Sequence, residues 1–270
     1  MTSPTRHPAV AGRFYPRDPG ELRAEVQSYV SPPQETVAAS GCVVPHAGYM
    51  YSGGVAGAVY ARIDLPPRCI LMCPNHTGMG HPLAIVSQGA WETPLGEMQI
   101  DAELADDLKK RLPLLHEDAD AHRAEHAAEV QLPFLQIRNP ECRFVPIALG
   151  TSRYEVLAAL GIAIAQAVQA LGERVLLIAS SDMNHYENDT ITRVKDQKAI
   201  ERILVMDARG LFDVVMNEDI SMCGFGPTVA MLTAAGRLGA TRTELLRYAT
   251  SGDVSGDRDR VVGYAGIVVQ

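Results

Sequence analysis

The chain has 270 residues, 47% hydrophobic and 21% charged, proportions that exclude wholesale disorder, collagen-like repeats and low-complexity character. That length fits one large α/β unit, so residues 1–270 are read as a single domain. A net charge of −8, from 24 Lys and Arg against 32 Asp and Glu, disfavours nucleic acid as a partner, because phosphate binding needs a basic surface.

Short apolar strands alternate with amphipathic helices along the chain. The start, Met1 to Pro8, has no apolar stretch of the secretory kind. Ser31-Pro-Pro-Gln-Glu35 is read as a soft surface connection. Gly41–Pro45 reads as a buried strand, and Ser52–Arg62 as a small-residue helix packed close to a sheet. Cys69–Cys73 and Leu83–Val86 are the next strands. Asp101–Arg111 is a helix with Asp at its N-cap end. Glu125–Ile137 is helical by period, although Pro133 must start a new turn or kink it. Cys142–Ala148 is a strand, and Tyr154–Leu171 an Ala-rich helix ended by Gly172. Arg174–Ser180 has the continuous apolar character of a strand buried on both faces. Helices follow near 189–204 and 207–216, then another over Pro227–Leu238. Thr243–Thr250 and Arg260–Val269 close the chain as a hairpin. The pattern predicts a three-layer α/β sandwich, its central sheet mixed but largely parallel and covered by helices on both faces. Runs such as Val175–Ala179 fall far short of the roughly 20 apolar residues of a membrane span, so a soluble, cytoplasmic protein with no membrane partner is expected.

The five cysteines are Cys42, Cys69, Cys73, Cys142 and Cys223. An odd number without a CxxC pair argues against a disulfide framework or a zinc knuckle. Cys42, Cys69 and Cys142 lie in strand-like runs and read as small buried hydrophobes. Cys223 lies between Met222 and Gly224, just ahead of a helix, where the dipole would favour a thiolate. An inert Cys in a glycine-rich turn is the plainer alternative.

Three of the eight histidines follow buried strands: His46 after Val43-Val44-Pro45, His76 after Pro74-Asn75, and His185 after Ser180-Ser-Asp-Met-Asn184. Ligands of open α/β sheets bind beyond the carboxyl ends of the strands, so three imidazoles are aimed at one edge. Asp182 is placed to orient His185 or to take a proton from it. Tyr49, Tyr51, Asn75 and Tyr186 flank these positions and are candidates for lining a substrate pocket. Glu125-His126-Ala-Ala-Glu129 is not HExxH; it is either a pocket-lining helix carrying Glu125, His126 and Glu129 or a solvated helix start. His7 and His116 are read as surface residues, and His81 as a loop residue near His76.

Six ordered segments carry a resemblance: Arg6–Pro16, Pro45–Gly53, Pro74–His76, Glu125–Leu135, Ser180–Tyr186, and Cys223-Gly224 followed by Pro227. Together they resemble the Memo family, whose prokaryotic members are also called protein B of the AmmeMemoRadiSam system. That resemblance implies a fold like LigB-type class III extradiol dioxygenases, which hold iron through two His and a carboxylate. It further implies that His46 and His76 are the His ligands of a metal, that Cys223 takes the carboxylate's place, and that His185 and Asp182 stand at the acid/base position. A thiolate shifts the expected metal toward iron, copper or zinc. The resemblance points to a metal-dependent oxidoreductase, with AMMECR1-like and radical SAM proteins as partners. A peptide- or ligand-binding adaptor, or a metal-sequestering protein, would use the same cleft.

Overall fold

The computed structural model describes residues 4–31 and 35–270. Met1–Ser3 and the middle of the Ser31–Glu35 connection lie outside the described residues. In chain order the elements begin with β1 (Thr5–Arg6), α1 (Pro19–Tyr29), β2 (Gly41–Val44), α2 (Tyr49–Arg62), β3 (Arg68–Pro74), β4 (Leu83–Ile85), β5 (Ala90–Thr93) and β6 (Gly96–Gln99). Next come α3 (Ala102–Arg111), β7 (His116–Glu117), α4 (Asp120–Arg123), α5 (Leu132–Arg138), β8 (Arg143–Leu149), α6 (Tyr154–Leu171) and β9 (Leu176–Ser180). The chain ends with β10 (His185–Glu187), α7 (Asp189–Leu204), α8 (Ala208–Asn217), α9 (Phe225–Arg237), β11 (Thr243–Thr250), α10 (Gly252–Ser255) and β12 (Val261–Val269).

A nine-stranded sheet runs in the order β10-β12-β2-β9-β3-β8-β4-β7, with β11 also paired to β12. Its centre is parallel, through the pairs β2–β9, β9–β3 and β3–β8. Antiparallel strands sit toward the edges, including the expected β11–β12 hairpin. This is the mixed three-layer α/β sandwich read from the sequence.

The central strands β2, β3, β8 and β9 are buried and mostly apolar because both faces are covered. Val43, Ile70 and Met72 point into one core with residues of α3, α6 and α9. Cys42, Val44, Leu71 and Cys73 point into the other, against α1, α2 and α5. Helix α6 has a mean hydropathy of 1.5 over 18 residues and passes a length-and-composition test for a membrane span. Its Leu157, Leu160 and Ile164 are buried in the first core, which accounts for that apolarity. Gly172 ends α6 in the left-handed conformation, with φ at 68°.

Two element readings change. Helix α2 starts at Tyr49, three residues earlier than its small-residue pattern suggested. Residues Glu125 to Ala128 are not helical; a 3₁₀ turn covers Glu129–Gln131, and α5 begins at Leu132 with Pro133 in its first turn. The cause is local. The Glu125 carboxylate accepts the Ala127 N–H at 2.9 Å, which bends the backbone away from a helical course.

Candidate metal centre

The sheet order explains why the three histidines meet. β9 lies between β2 and β3, so the segments leaving these three strands emerge side by side. His46, His76, His185 and Cys223 all line one cleft of about 620 Å³, together with Phe14, Asp182 and Tyr186. The ligand atoms of His46, His76 and Cys223 lie within 4.8 Å of one another, close enough to share one ion.

Hydrogen bonding fixes which nitrogen of His46 is free. Gln131 Nε2 donates to the Pro45 carbonyl at 2.9 Å, which sets the orientation of its amide. The same Nε2 donates to Ser180 Oγ at 3.0 Å. Ser180 spends its only hydrogen on the Ala127 carbonyl at 2.6 Å. Ser180 Oγ can therefore only accept from His46 Nδ1, 2.9 Å away. The proton sits on Nδ1, and the Nε2 lone pair faces Cys223 Sγ at 3.2 Å. Ser180 and Gln131 are fully buried, so no water competes for these groups.

His76 is held by the same principle through a carboxylate. Glu125 Oε1 accepts from His76 Nδ1 at 2.9 Å, and Oε2 from the His76 backbone N–H at 2.6 Å. Burial works to lower the His76 pKa, but the Glu125 carboxylate outweighs it and raises the value. Burial likewise works against the Glu125 charge, and His76 with the backbone N–H groups holds its pKa low. Glu125 is thus an ionised, fully buried orienting group for His76. His76, Glu125 and His126 form a second compact donor group, but the Glu125 oxygens are already committed to His76 and Ala127.

His185 enters the cleft from β10. Its Nδ1 donates to the Ser221 carbonyl at 2.8 Å, leaving Nε2 as an acceptor. The strand is irregular between His185 and Glu187, and Tyr186 takes a φ of 65°, uncommon for a residue with a side chain. That kink leaves Tyr186 exposed at the cleft mouth while His185 turns inward. Burial lowers the His185 pKa and lowers that of His46 further, so both favour the neutral form.

Asp182 is not hydrogen-bonded to His185, as the sequence had suggested. Its Oδ1 accepts the His46 backbone N–H at 2.7 Å, so it shapes the turn after β2. Burial pushes its carboxyl up to about 7, against the opposing pull of the His46 and Ala47 N–H groups. The Cys223 thiol is also raised by burial, so the helix dipole alone does not make it a thiolate. Gly224 is required beside it, since a Cβ there would lie 2.4 Å from the Ser180 carbonyl oxygen and from Ser181 Cβ.

The flanking candidates separate. His126 and Tyr186 line the cleft. Tyr49 is turned into the core, its hydroxyl donating to the Val130 carbonyl at 2.7 Å. Tyr51 lines a neighbouring groove of about 560 Å³ beside Phe14 and Gly48. Asn75 closes the loop that carries His76, accepting from Thr77 and Gly78 and donating to the Met79 carbonyl at 2.7 Å. Glu125 stands behind His76 rather than at the cleft surface. His7, His81 and His116 are exposed, and Cys42, Cys69, Cys73 and Cys142 are buried and free.

Sequence reasoning missed Ser180 and Gln131 as orienting residues, and Glu129, read from the sequence as pocket-lining, is an anchor instead. The Glu129 carboxylate accepts from Arg6 Nη1, the Ala9 and Val10 N–H groups and Tyr15 Oη, at 2.7 to 3.0 Å. It anchors the N-terminal segment that delivers Phe14 to the cleft. The spacing Glu125, Glu129, Gln131 is visible, but its long-range partners lie 49 to 123 residues away.

Residues 6–268 match the Memo-like protein family. A MEMO1 family protein of Methanosarcina barkeri is 45% identical over 267 residues, covering 98% of this chain and 100% of its own. The chain belongs to the Memo family. Another member, from Methanothermobacter thermautotrophicus, is 43% identical over 272 residues, covering 96% of this Memo chain and 98% of its own. In fold, this Memo chain is similar to a crystal structure of an uncharacterized protein of Escherichia coli K12, with a TM-score of 0.57 at 13% identity, covering 84% of this chain and 98% of that one.

Proposed function

We propose that this Memo chain is a metal-dependent oxidoreductase in which His46, His76 and Cys223 hold iron or copper and His185 moves a proton on a small substrate. The observation that carries this reading is the fixed protonation of His46 and His76. Each donates its Nδ1 hydrogen to a buried group, and each is left with Nε2 as the donor atom beside Cys223.

Two imidazoles and one thiolate leave coordination positions open, as a catalytic centre requires and a structural one does not. The thiolate selects iron, copper or zinc over hard cations. A redox metal held there would supply the electron-transfer and O₂ chemistry that no side chain provides. The chain's own residues do the rest. His185 Nε2 accepts a proton from a substrate hydroxyl, of the phenol or catechol type, while the Ser221 carbonyl keeps the ring in place. Asp182 supports His46 by holding its turn. Tyr186 and His126 border the space a substrate would occupy.

A purely ligand-binding role is favoured by one observation. The cleft shares Phe14 and Gly48 with the adjoining groove, which gives room for a peptide as well as a small molecule. Metal analysis of anaerobically purified protein, combined with O₂ uptake on a panel of catechols and phenols, separates the readings. No iron, copper or zinc above background would remove the metal-dependent function. Bound metal without O₂ uptake on any substrate would favour binding or metal storage.

A further inference from the structure

Asn184 is fully buried, and its side chain faces the segment that carries Cys223. The orientation of its amide is fixed from both ends. Nδ2 donates at 2.7 Å to Glu187 Oε2, a carboxylate that Lys195 pairs with at 2.8 Å and that can only accept. Oδ1 therefore points the other way, where it accepts the Ser221 backbone N–H and the Ser221 hydroxyl, both at 3.0 Å. The Asn184 backbone is pinned as well. Its N–H donates to Asp196 Oδ1 at 2.8 Å, and its carbonyl accepts the Gly263 N–H at 2.9 Å. Asp196 lies on α7 and Gly263 on β12, so the amide is mounted on two regular elements.

Ser221 passes that fixed position on in two directions. Toward β10, its hydroxyl oxygen accepts the His185 backbone N–H at 2.7 Å, and its carbonyl accepts the His185 Nδ1 hydrogen at 2.8 Å. Toward α9, the chain runs through buried Met222 to Cys223, whose Sγ lies 3.2 Å from His46 Nε2. Just beyond, the Gly224 N–H donates to Ser181 Oγ at 3.1 Å. Cys223 is thus held between two anchors, Ser221 on Asn184 and Gly224 on Ser181. One buried amide serves both the ring that enters the cleft and the thiol beside it.

We propose that Asn184 is a positioning residue that, through Ser221, sets the His185 ring and the Cys223 thiol as one unit. The inference rests on the reading of His185 and Cys223 as the working groups of the cleft. Asn184 itself does not line that cleft.

Two measurements on the full chain test it. Long-range ¹H–¹⁵N spectra of the metal-free chain at mildly alkaline pH read the His185 tautomer, with His185→Gln assigning the signal. Anaerobic competition titration with Zn²⁺ reads the placement of Cys223. The native chain should show His185 protonated at Nδ1 alone. Asn184→Ala should mix the two tautomers and weaken zinc about tenfold, the low end of what losing a ligand's outer partner costs. Ser221→Ala keeps the backbone contacts and loses the hydroxyl ones. It should do both to a smaller extent, with zinc weakened about threefold, so the test stands where Asn184→Ala does not fold. Thr192→Val removes only a 3.4 Å contact on the Nδ2 side of the amide and should move neither readout. Native zinc affinity, or His185 protonated at Nδ1 alone, in folded Asn184→Ala or Ser221→Ala would overturn the proposal. A shift of either readout in Thr192→Val would mark general loosening and overturn it as well. A native chain that binds no zinc would instead remove the metal reading, and the His185 tautomer would then decide the inference alone.

Discussion

Ser180→Ala tests the logic of the metal centre most directly, because Ser180 touches no ligand atom of the proposed metal. Its hydroxyl donates to the Ala127 carbonyl at 2.6 Å and accepts from His46 Nδ1 at 2.9 Å and Gln131 Nε2 at 3.0 Å. All these groups are buried, so removing Oγ leaves a carbonyl and two N–H groups without partners. At about 1 kcal/mol per lost bond, plus the cost of orphaned buried groups, the fold should lose about 3–5 kcal/mol. The effect on metal is separate. Without an acceptor at Nδ1, the His46 proton is no longer confined there, and the tautomer with Nε2–H cannot ligate. Loss of such an orienting partner typically weakens metal binding 10–100-fold, about 1.4–2.8 kcal/mol. Anaerobic competition titration with Zn²⁺, on native chain and variant at a temperature where both remain folded by circular dichroism, measures this. A folded Ser180→Ala variant with native zinc affinity would refute the assignment of the His46 proton by its buried partners.

Cys223→Ser should lower the metal content of anaerobically purified protein sharply, and unchanged occupancy would remove Cys223 from the ligand set. His185→Ala should retain metal and lose substrate turnover; loss of metal in elemental analysis would make His185 a ligand. Gly224→Ala should destabilise the fold by about 1–3 kcal/mol in urea melts through overpacking, since its Cβ would meet Ser180 O and Ser181 Cβ at 2.4 Å. Asp196 is pushed up to about 7 by burial, from an ordinary 3.8, although Tyr248 and the Asn184 N–H oppose the rise. Between these values the folded chain binds more protons than the unfolded one, so its stability falls as pH rises. Asp196→Asn should remove up to about 1.4 kcal/mol per pH unit of that slope in pH-dependent melts. An unchanged slope would mean that the buried carboxyl is ionised throughout.

What was legible in the sequence and what was not divides along the backbone. His46, His76 and His185 were legible because a buried parallel strand announces its own end, and such ends share one edge of the sheet. The sequence shows the strand ends but not the strand order, and it is the order, with β9 between β2 and β3, that brings the three histidines together. Cys223 was legible less directly, from its glycine turn and helix start. The orienting groups were not, because their identity lies in pairings between distant segments. Ser180 looked like one of two hydroxyls after a strand, and only the positions of Ala127, Gln131 and His46 around it give its proton one destination. Asp182 was misassigned for the same reason: a carboxylate two residues past a strand can meet any neighbouring N–H, and it meets that of His46. Tyr49 was misplaced because its residue type suits a pocket, whereas its position in the first turn of α2 directs it to Val130. The loop from Ala119 to Gln131 holds the most information that the sequence hid. It presents Glu125 to His76 on one side and packs His122 against Trp91 on the other, and Arg6 is bonded to the carbonyls of both. A substitution of Arg6 therefore disturbs the loop that orients His76 together with the packing of Trp91.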